Sequence, residues 1–299
     1  MMDAFICTAC PRRCSALREP DRPSGGVCGM PAGFVVARAA LHQWEEPCIS
    51  GQNGSGTVFF SGCSLRCVYC QNQKISLGRF GAPVTEENLM RMFDRLIEQG
   101  AHNLNLVNPT HYAPMLAQVL QKYHSPVPVV YNSGGYERVE TLKALEGLID
   151  IYLPDLKYVD SEVSLRYSGA ADYFTYASKA ILEMSRQAGQ AVFDENGMME
   201  RGLIVRHLIL PRNTAQSIKA LTWIHENLPE GTLVSLMCQY TPCGELGAFP
   251  ELTRRITHRE YEKVVDKLLE LGLTGGYLQE LSSAKDEYIP PFDLSGVII

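Results

Sequence analysis

The stretch Cys63-Ser64-Leu65-Arg66-Cys67-Val68-Tyr69-Cys70 decides how the rest of this chain is read. Its three cysteines follow the pattern CxxxCφxC, with the aromatic position filled by Tyr69. Thiolates at that spacing can hold three corners of a cubane [4Fe–4S] cluster and leave its fourth iron free to bind a small molecule. Three unrelated core cysteines, or a zinc site, are the other readings. A structural zinc site requires four ligands, and no histidine or fourth cysteine lies within a few residues of the run. The loop is entered from Thr57–Phe60, an apolar run that reads as a strand, so the cysteines stand at a strand end.

A chain of 299 residues with 45% hydrophobic and 20% charged residues can form a barrel-sized domain with a small appendage. A net charge of −6 argues against a sequence-independent nucleic-acid surface, which is normally basic. No apolar stretch reaches membrane-spanning length and the N-terminus lacks a signal-peptide core, so the expected home is the cytoplasm, with neither nucleic acid nor membrane as partner. Ten cysteines in that compartment do not read as disulfides, and seven of them, in two dense clusters within the first 70 residues, point to metal.

Residues 1–35 are rich in Cys, Pro, Gly and Arg and show no period, which marks a metal-stapled segment. Residues 36–56 read as a connector, 57–285 as the main domain and 286–299 as a tail. Within the main domain, strands are expected at 103–107, 127–131, 149–153, 203–210 and 233–238. Helices are expected at 85–99 (N-capped by Thr85), 112–123, 137–148, 161–167, 171–188, 215–227 and 258–271, and Asp194-Glu195-Asn196-Gly197 reads as a tight turn. Apolar strands alternating with amphipathic helices imply an α/β fold with a parallel sheet covered on both faces. Six β/α units suit a partial (β/α)6 barrel, because a full eight-unit barrel needs more chain.

The cysteine motif resembles the signature of the radical S-adenosylmethionine (radical SAM) superfamily. Asn108-Pro109-Thr110-His111, Pro154-Asp155-Leu156-Lys157, Arg206-His207 and an N-terminal Cys10-Pro11-Arg12-Arg13-Cys14 follow the order seen in its pyruvate formate-lyase activating enzyme branch, nearest to PflX-type members. The resemblance covers about residues 57–245. It implies that Cys63, Cys67 and Cys70 ligate the cluster and that polar residues at strand ends hold S-adenosylmethionine (SAM). Tyr69, Asn108, Asn132, Asp155, Lys157, Arg206 and Gln239 are the candidates. Asn108 stands where many members carry Gly-Gly-Glu-Pro, and its side-chain carbonyl is expected to meet the SAM ammonium; a plain turn with Thr110 capping the next helix is the alternative. Gly134-Gly135 permit close backbone approach or positive φ. Asp155 and Lys157, two apart on extended chain, share a face. Arg206 is expected to face the barrel interior and His207 the helices, since strand neighbours alternate. Arg66 would bring positive charge to the cluster.

Cys7, Cys10, Cys14 and Cys28 can close a tetrahedral zinc site or ligate a second [4Fe–4S] cluster. Arg12, Arg13 and Arg18 read as a docking face for an acidic partner or a solvated surface. Cys238 reads as core and Cys243 as a candidate for substrate contact. The implied activity is reductive cleavage of SAM to a 5′-deoxyadenosyl radical, with flavodoxin or ferredoxin as one-electron donor. The radical would then take hydrogen from a glycyl-radical-enzyme glycine, a peptide or protein side chain, or a small metabolite. An iron–sulfur electron carrier without SAM chemistry is the contrasting reading.

Overall fold

The computed structural model describes residues 4–20, 22–279 and 290–299. The expected boundary between main domain and tail, at 285/286, lies outside the described residues. Near the N-terminus, β1 (Phe5–Ile6) and β2 (Leu17–Arg18) form a short antiparallel pair whose connection carries Cys7, Cys10 and Cys14.

Residues 36–56 are not a connector. Most of β3 (Phe34–His42) lies there, followed by α1 (Pro47–Ser50), and β3 pairs antiparallel with β4 (Ser55–Phe60). The core of β3, Ala37-Arg38-Ala39-Ala40, carries little intrinsic strand preference. Pairing supplies it instead: β4 lines 38–42, the tail bonds Ala37 and Ala39 through Leu294 and Ser295, and β5 (Ala82–Val84) takes one flank of Phe34–Val36. A short helix, α2 (Gln73–Ser76), lies between the cysteine loop and β5.

The repeating pattern then runs as expected. It comprises α3 (Glu86–Glu98), β6 (Leu104–Val107), α4 (Ala113–Lys122), β7 (Val129–Ser133), α5 (Val139–Lys143) and β8 (Ile151–Pro154). It continues through α6 (Ser161–Ser168), α7 (Tyr173–Ala188), β9 (Val192–Phe193), β10 (Met199–Leu208), α8 (Thr214–Asn227), β11 (Leu233–Met237), α9 (His258–Glu270) and β12 (Tyr277–Leu278). Thr85 caps α3 by accepting from the Asn88 amide, and Asp194 closes the β9–β10 hairpin by accepting from the amides of Asn196 and Met198.

The sheet order is β12-β11-β10-β8-β7-β6-β4-β3-β5, with β9 alongside β10. Strands β4, β6, β7, β8, β10, β11 and β12 are mutually parallel. Six of them are each followed by helix, and the sheet has two ends, β12 and β5. This is the expected α/β architecture of six β/α units in an incompletely closed barrel.

Two helices differ from expectation. The segment 137–148 is helical only over α5, because Glu137 is drawn inward, where its carboxylate meets Thr110 and Tyr131. Thr110 does not cap α4. It opens a 3₁₀ turn, and its hydroxyl lies between Asn108 and Glu137.

The end of the barrel where the parallel strands begin is plugged by α1. Cys48 and Ile49 pack there against Val130, Ile151, Leu153, Met199, Ile204 and Leu233. The same end of the sheet receives the chain after β3, since His42 lies opposite Ser55 at the start of β4. Ile49 is fully buried, so Ile49→Ala should lower unfolding free energy by about 2–5 kcal/mol through lost transfer energy and a residual cavity. Denaturant unfolding of the variant checks this.

Candidate functional site

Strand register builds the site. Asp155 forms a bridge with Arg206 just beyond the β8–β10 pairing, Arg206 pairs with Ser235 of β11, and Ser235 pairs with Tyr277 of β12. These four residues line one cavity of about 520 Å³. The cavity also takes in Cys63, Cys67, Cys70, Tyr69, Asn108, Asn132, Lys157 and Gln239, so the three candidate cluster ligands and all seven candidate SAM contacts stand around one space.

Each sulfur of the cysteine loop accepts a donor. Cys63 Sγ receives the Asn108 side-chain amide at 3.1 Å and the Leu65 amide at 3.4 Å. Cys67 Sγ receives the Ser168 hydroxyl at 3.1 Å, and Cys70 Sγ the Ser76 hydroxyl at 3.4 Å. Burial first, then the neighbouring Cys67, pushes the Cys63 thiol up; the same two causes push Cys70 up to about 12. A metal must therefore displace protons from these thiols, and its affinity falls as pH falls. Among the described residues no three His, Cys, Asp or Glu side chains are gathered tightly enough to hold a single metal ion. A cluster does not ask for that, because each thiolate binds its own iron. The donor set and its hydrogen bonds fit a [4Fe–4S] cluster.

The Asn108 carbonyl accepts from Thr110 while its amide faces Cys63, so it is turned to the sulfur rather than toward an ammonium. Tyr69 is buried, ringed edge-on by Tyr158, Tyr167 and Tyr240, and its hydroxyl accepts from Tyr158. These rings wall off water beside Cys67. Arg66 is exposed with φ 57° and does not line the cavity.

Arg12 serves the loop instead. Its guanidinium donates to the backbone carbonyls of Ser64, Leu65, Ser168 and Gly169, gripping the cysteine loop and the helix end that supplies Ser168. Arg12 is half-buried, whereas Arg18 is fully buried and donates to Cys28 Sγ at 3.3 Å over the Phe5 and Tyr112 rings. Of Arg12, Arg13 and Arg18, Arg13 alone is exposed.

At the cavity floor Arg206 donates to Asn132 Oδ1 at 2.5 Å, Asp155 Oδ1 at 3.1 Å and Glu45 Oε2 at 3.1 Å. Lys157 pairs with Asp155 at 2.5 Å. Burial alone would raise the Asp155 pKa, but Lys157 and Arg206 outweigh it and hold the carboxyl below its usual range. Glu45 goes the other way, raised by burial despite Arg206 and the amides of Asn105 and Asn132. Gln239 accepts from Gln279 at 3.0 Å. His207 points away as expected, bonded to the Leu156 carbonyl and Ser217 hydroxyl. Gly135, at φ 75°, lies where a Cβ would stand 2.2 Å from the Asp155 carbonyl, so it serves close packing of β7 on β8.

Glu45 and Glu46 went unread in the sequence, where two acids before Pro47 signal only a helix start. Cys243 does not line the cavity; its thiol donates to the Tyr69 carbonyl. Cys238 is core, as expected. Of the N-terminal set, Cys7, Cys10 and Cys28 are buried and Cys14 is exposed. Burial foremost pushes Cys10 up to about 12, with Cys28 and Cys7 adding to the effect, so those three share one neighbourhood. None of the four lines the cavity.

Residues 49–171, which include the cysteine loop, match the family model of a 4Fe-4S single cluster domain. The uncharacterised protein MJ0674 of Methanocaldococcus jannaschii is 29% identical over 269 residues, covering 87% of this chain and 73% of that protein. In fold the chain is similar to SuiB of Streptococcus suis bound to the precursor peptide SuiA, with a TM-score of 0.51 and 13% identity over 75% of this chain and 48% of SuiB. The structure of SuiB bound to S-adenosylmethionine gives 0.50 and 14%, over 76% of this chain and 50% of SuiB. The chain spans about half the length of these solved structures.

Arg206→Met should destabilise the protein by about 3–5 kcal/mol, because it strands Glu45 and Asp155 without their shared cation; thermal unfolding measures it. Arg12→Met should leave the fold intact but weaken the cysteine loop, seen as faster loss of iron from reconstituted protein during gel filtration.

Proposed function

We propose that this chain is a radical SAM enzyme that takes a hydrogen atom from a peptide or protein substrate. The observation that carries the reading is that three hydrogen-bonded thiols, a three-cysteine set without a fourth, open onto the same cavity as a charged floor built from β7, β8 and β10. When bound, the cluster and SAM supply a 5′-deoxyadenosyl radical by one-electron cleavage of the sulfonium.

The chain's own residues position and enclose. Cys63, Cys67 and Cys70 would hold three irons, and donors from Asn108, Ser168 and Ser76 would steady the sulfurs. Asp155 and Lys157 offer a carboxylate and an ammonium, each partly committed to the other, to the polar groups of SAM. Asn132 and Gln239 add neutral hydrogen-bonding groups. The tyrosine ring around Tyr69 excludes water from the side of the reacting atoms. Flavodoxin or ferredoxin would deliver the electron. The N-terminal cysteines would hold a second cluster; a single zinc ion would require the four thiols to draw closer together than they stand, and metal analysis of the purified protein distinguishes the two.

A peptide substrate is supported by two features. SuiB, similar in fold, was solved with a precursor peptide. The cavity also extends to Tyr277 and Leu278 at one end of the sheet, to His42 at the end of β3 and to Trp44 just beyond it, where half-exposed Trp44 offers an aromatic rim. A glycine of a glycyl radical enzyme is one member of this substrate class, and the resemblance to activating enzymes supports it.

Anaerobic incubation of reconstituted protein with SAM and dithionite should yield 5′-deoxyadenosine, and Cys67→Ala should abolish it. Full SAM cleavage by that variant refutes the assignment.

A further inference from the structure

Glu46 is an incompletely satisfied carboxyl in the cavity: the Ser235 hydroxyl bonds to it and Arg206 attracts it from nearby, but one of its oxygens is left over. It stands at the N-cap of α1, its side chain is 7% exposed, and it lines the cavity with an Oε2 that has no hydrogen-bond partner. A buried carboxylate oxygen without a partner is costly, and native interiors leave few of them. Nearby Arg206 cannot relieve it by direct contact, because its guanidinium is divided among Glu45, Asp155 and Asn132. Lys157 is held by Asp155. Three carboxylates, Glu45, Glu46 and Asp155, thus face two cations, Arg206 and Lys157, in one enclosed space. Thiolates at Cys63, Cys67 and Cys70 would add negative charge.

The surroundings of Glu46 suit an incoming cation. Ser235 and Tyr277 follow Arg206 in register and line the same wall, and Trp44 lines it from the chain after β3. Aromatic faces beside a carboxylate are favourable for an ammonium or guanidinium. Glu46 enters from the end where the strands begin, whereas the thiols stand where β4 ends. A substrate anchored at Glu46 would lie along the cavity with its uncharged length toward the thiols.

We propose that Glu46, supported by Glu45, forms a subsite for a cationic group of the substrate. An ammonium or guanidinium such as a lysine or arginine side chain, or a chain's amino terminus, meets its chemistry. The proposal rests on the radical SAM reading for what happens to the ligand, but the subsite itself is defined by charge and geometry alone.

The test uses agmatine as the cationic probe and n-butanol as a neutral one, titrated calorimetrically into the reconstituted full chain without reductant. Agmatine should bind at least about tenfold more tightly than n-butanol, a difference of about 1.4 kcal/mol. Glu46→Gln should remove that preference while melting no lower than wild type, since the amide keeps the shape and removes a buried charge with an unpartnered oxygen. Glu46→Asp, which keeps the charge on a shorter arm, should retain part of it and decides the matter if the Gln variant does not fold. Equal binding of the two probes, or an undiminished preference in both folded variants, overturns the subsite. The 5′-deoxyadenosine assay on the same preparation reports separately on the radical SAM reading, so either can fail alone.

Discussion

Arg206 is the point on which the cavity floor turns. A guanidinium in an enclosed site must be matched by charge and by hydrogen bonds in good geometry, or the site is destabilised. Here the partners come from three other parts of the chain: Asn132 at the end of β7, Asp155 just past β8, and Glu45 from the segment between β3 and β4. Parallel pairing of β8 with β10 sets Asp155 beside Arg206, so the contact follows from register rather than from a flexible loop. Burial would lower the Arg206 pKa, but Asp155, Glu46 and Glu45 together raise it, and the cation is fixed. Lys157 is then oriented by the far oxygen of Asp155.

A second tie joins the N-terminal segment to the cysteine loop. Arg12 lies between Cys10 and Cys14, yet its donors end on carbonyls that flank Cys63 and on Ser168, whose hydroxyl meets Cys67. The two cysteine clusters, far apart in sequence, are therefore mechanically linked through one side chain. Any change in the N-terminal segment, such as metal binding at its thiols, bears on the geometry of the loop. Arg138 and Thr141 strengthen the link by donating to the carbonyls of Thr8 and Ala9.

The main domain was legible because period and motif agreed. Apolar strands alternated with amphipathic helices, Thr85 marked a helix start, and alternation along β10 sent Arg206 and His207 to opposite faces. What escaped reading depended on contacts remote in sequence. β3 is rich in alanine and exists because β4 and β5 flank it. Glu137 leaves a helical pattern because a buried Thr110 and Tyr131 hold its carboxylate. Glu45 and Glu46 look like a solvated pair before a proline, and only the plug formed by α1 turns them inward. Arg12 and Arg18 read as surface charge, since no local pattern announces the carbonyls and thiol that bury them.

The plug also explains why the interior divides in two. A closed β/α barrel fills its centre with layers of side chains. Here Cys48 and Ile49 fill the layer where the strands begin, with apolar partners all round. Above them the interior is left hollow, with charged side chains set among apolar ones in its lining. Among the described residues seven buried side-chain nitrogen or oxygen atoms lack a hydrogen-bond partner, and three of these, on Glu46, Asn72 and Thr241, belong to residues lining this one cavity. Packing alone would have favoured closing such a space with apolar side chains. A hollow of mixed lining, bounded by thiols at one end and a carboxylate with an unpartnered oxygen at the other, is the shape of a site built around an occupant with both polar and apolar parts.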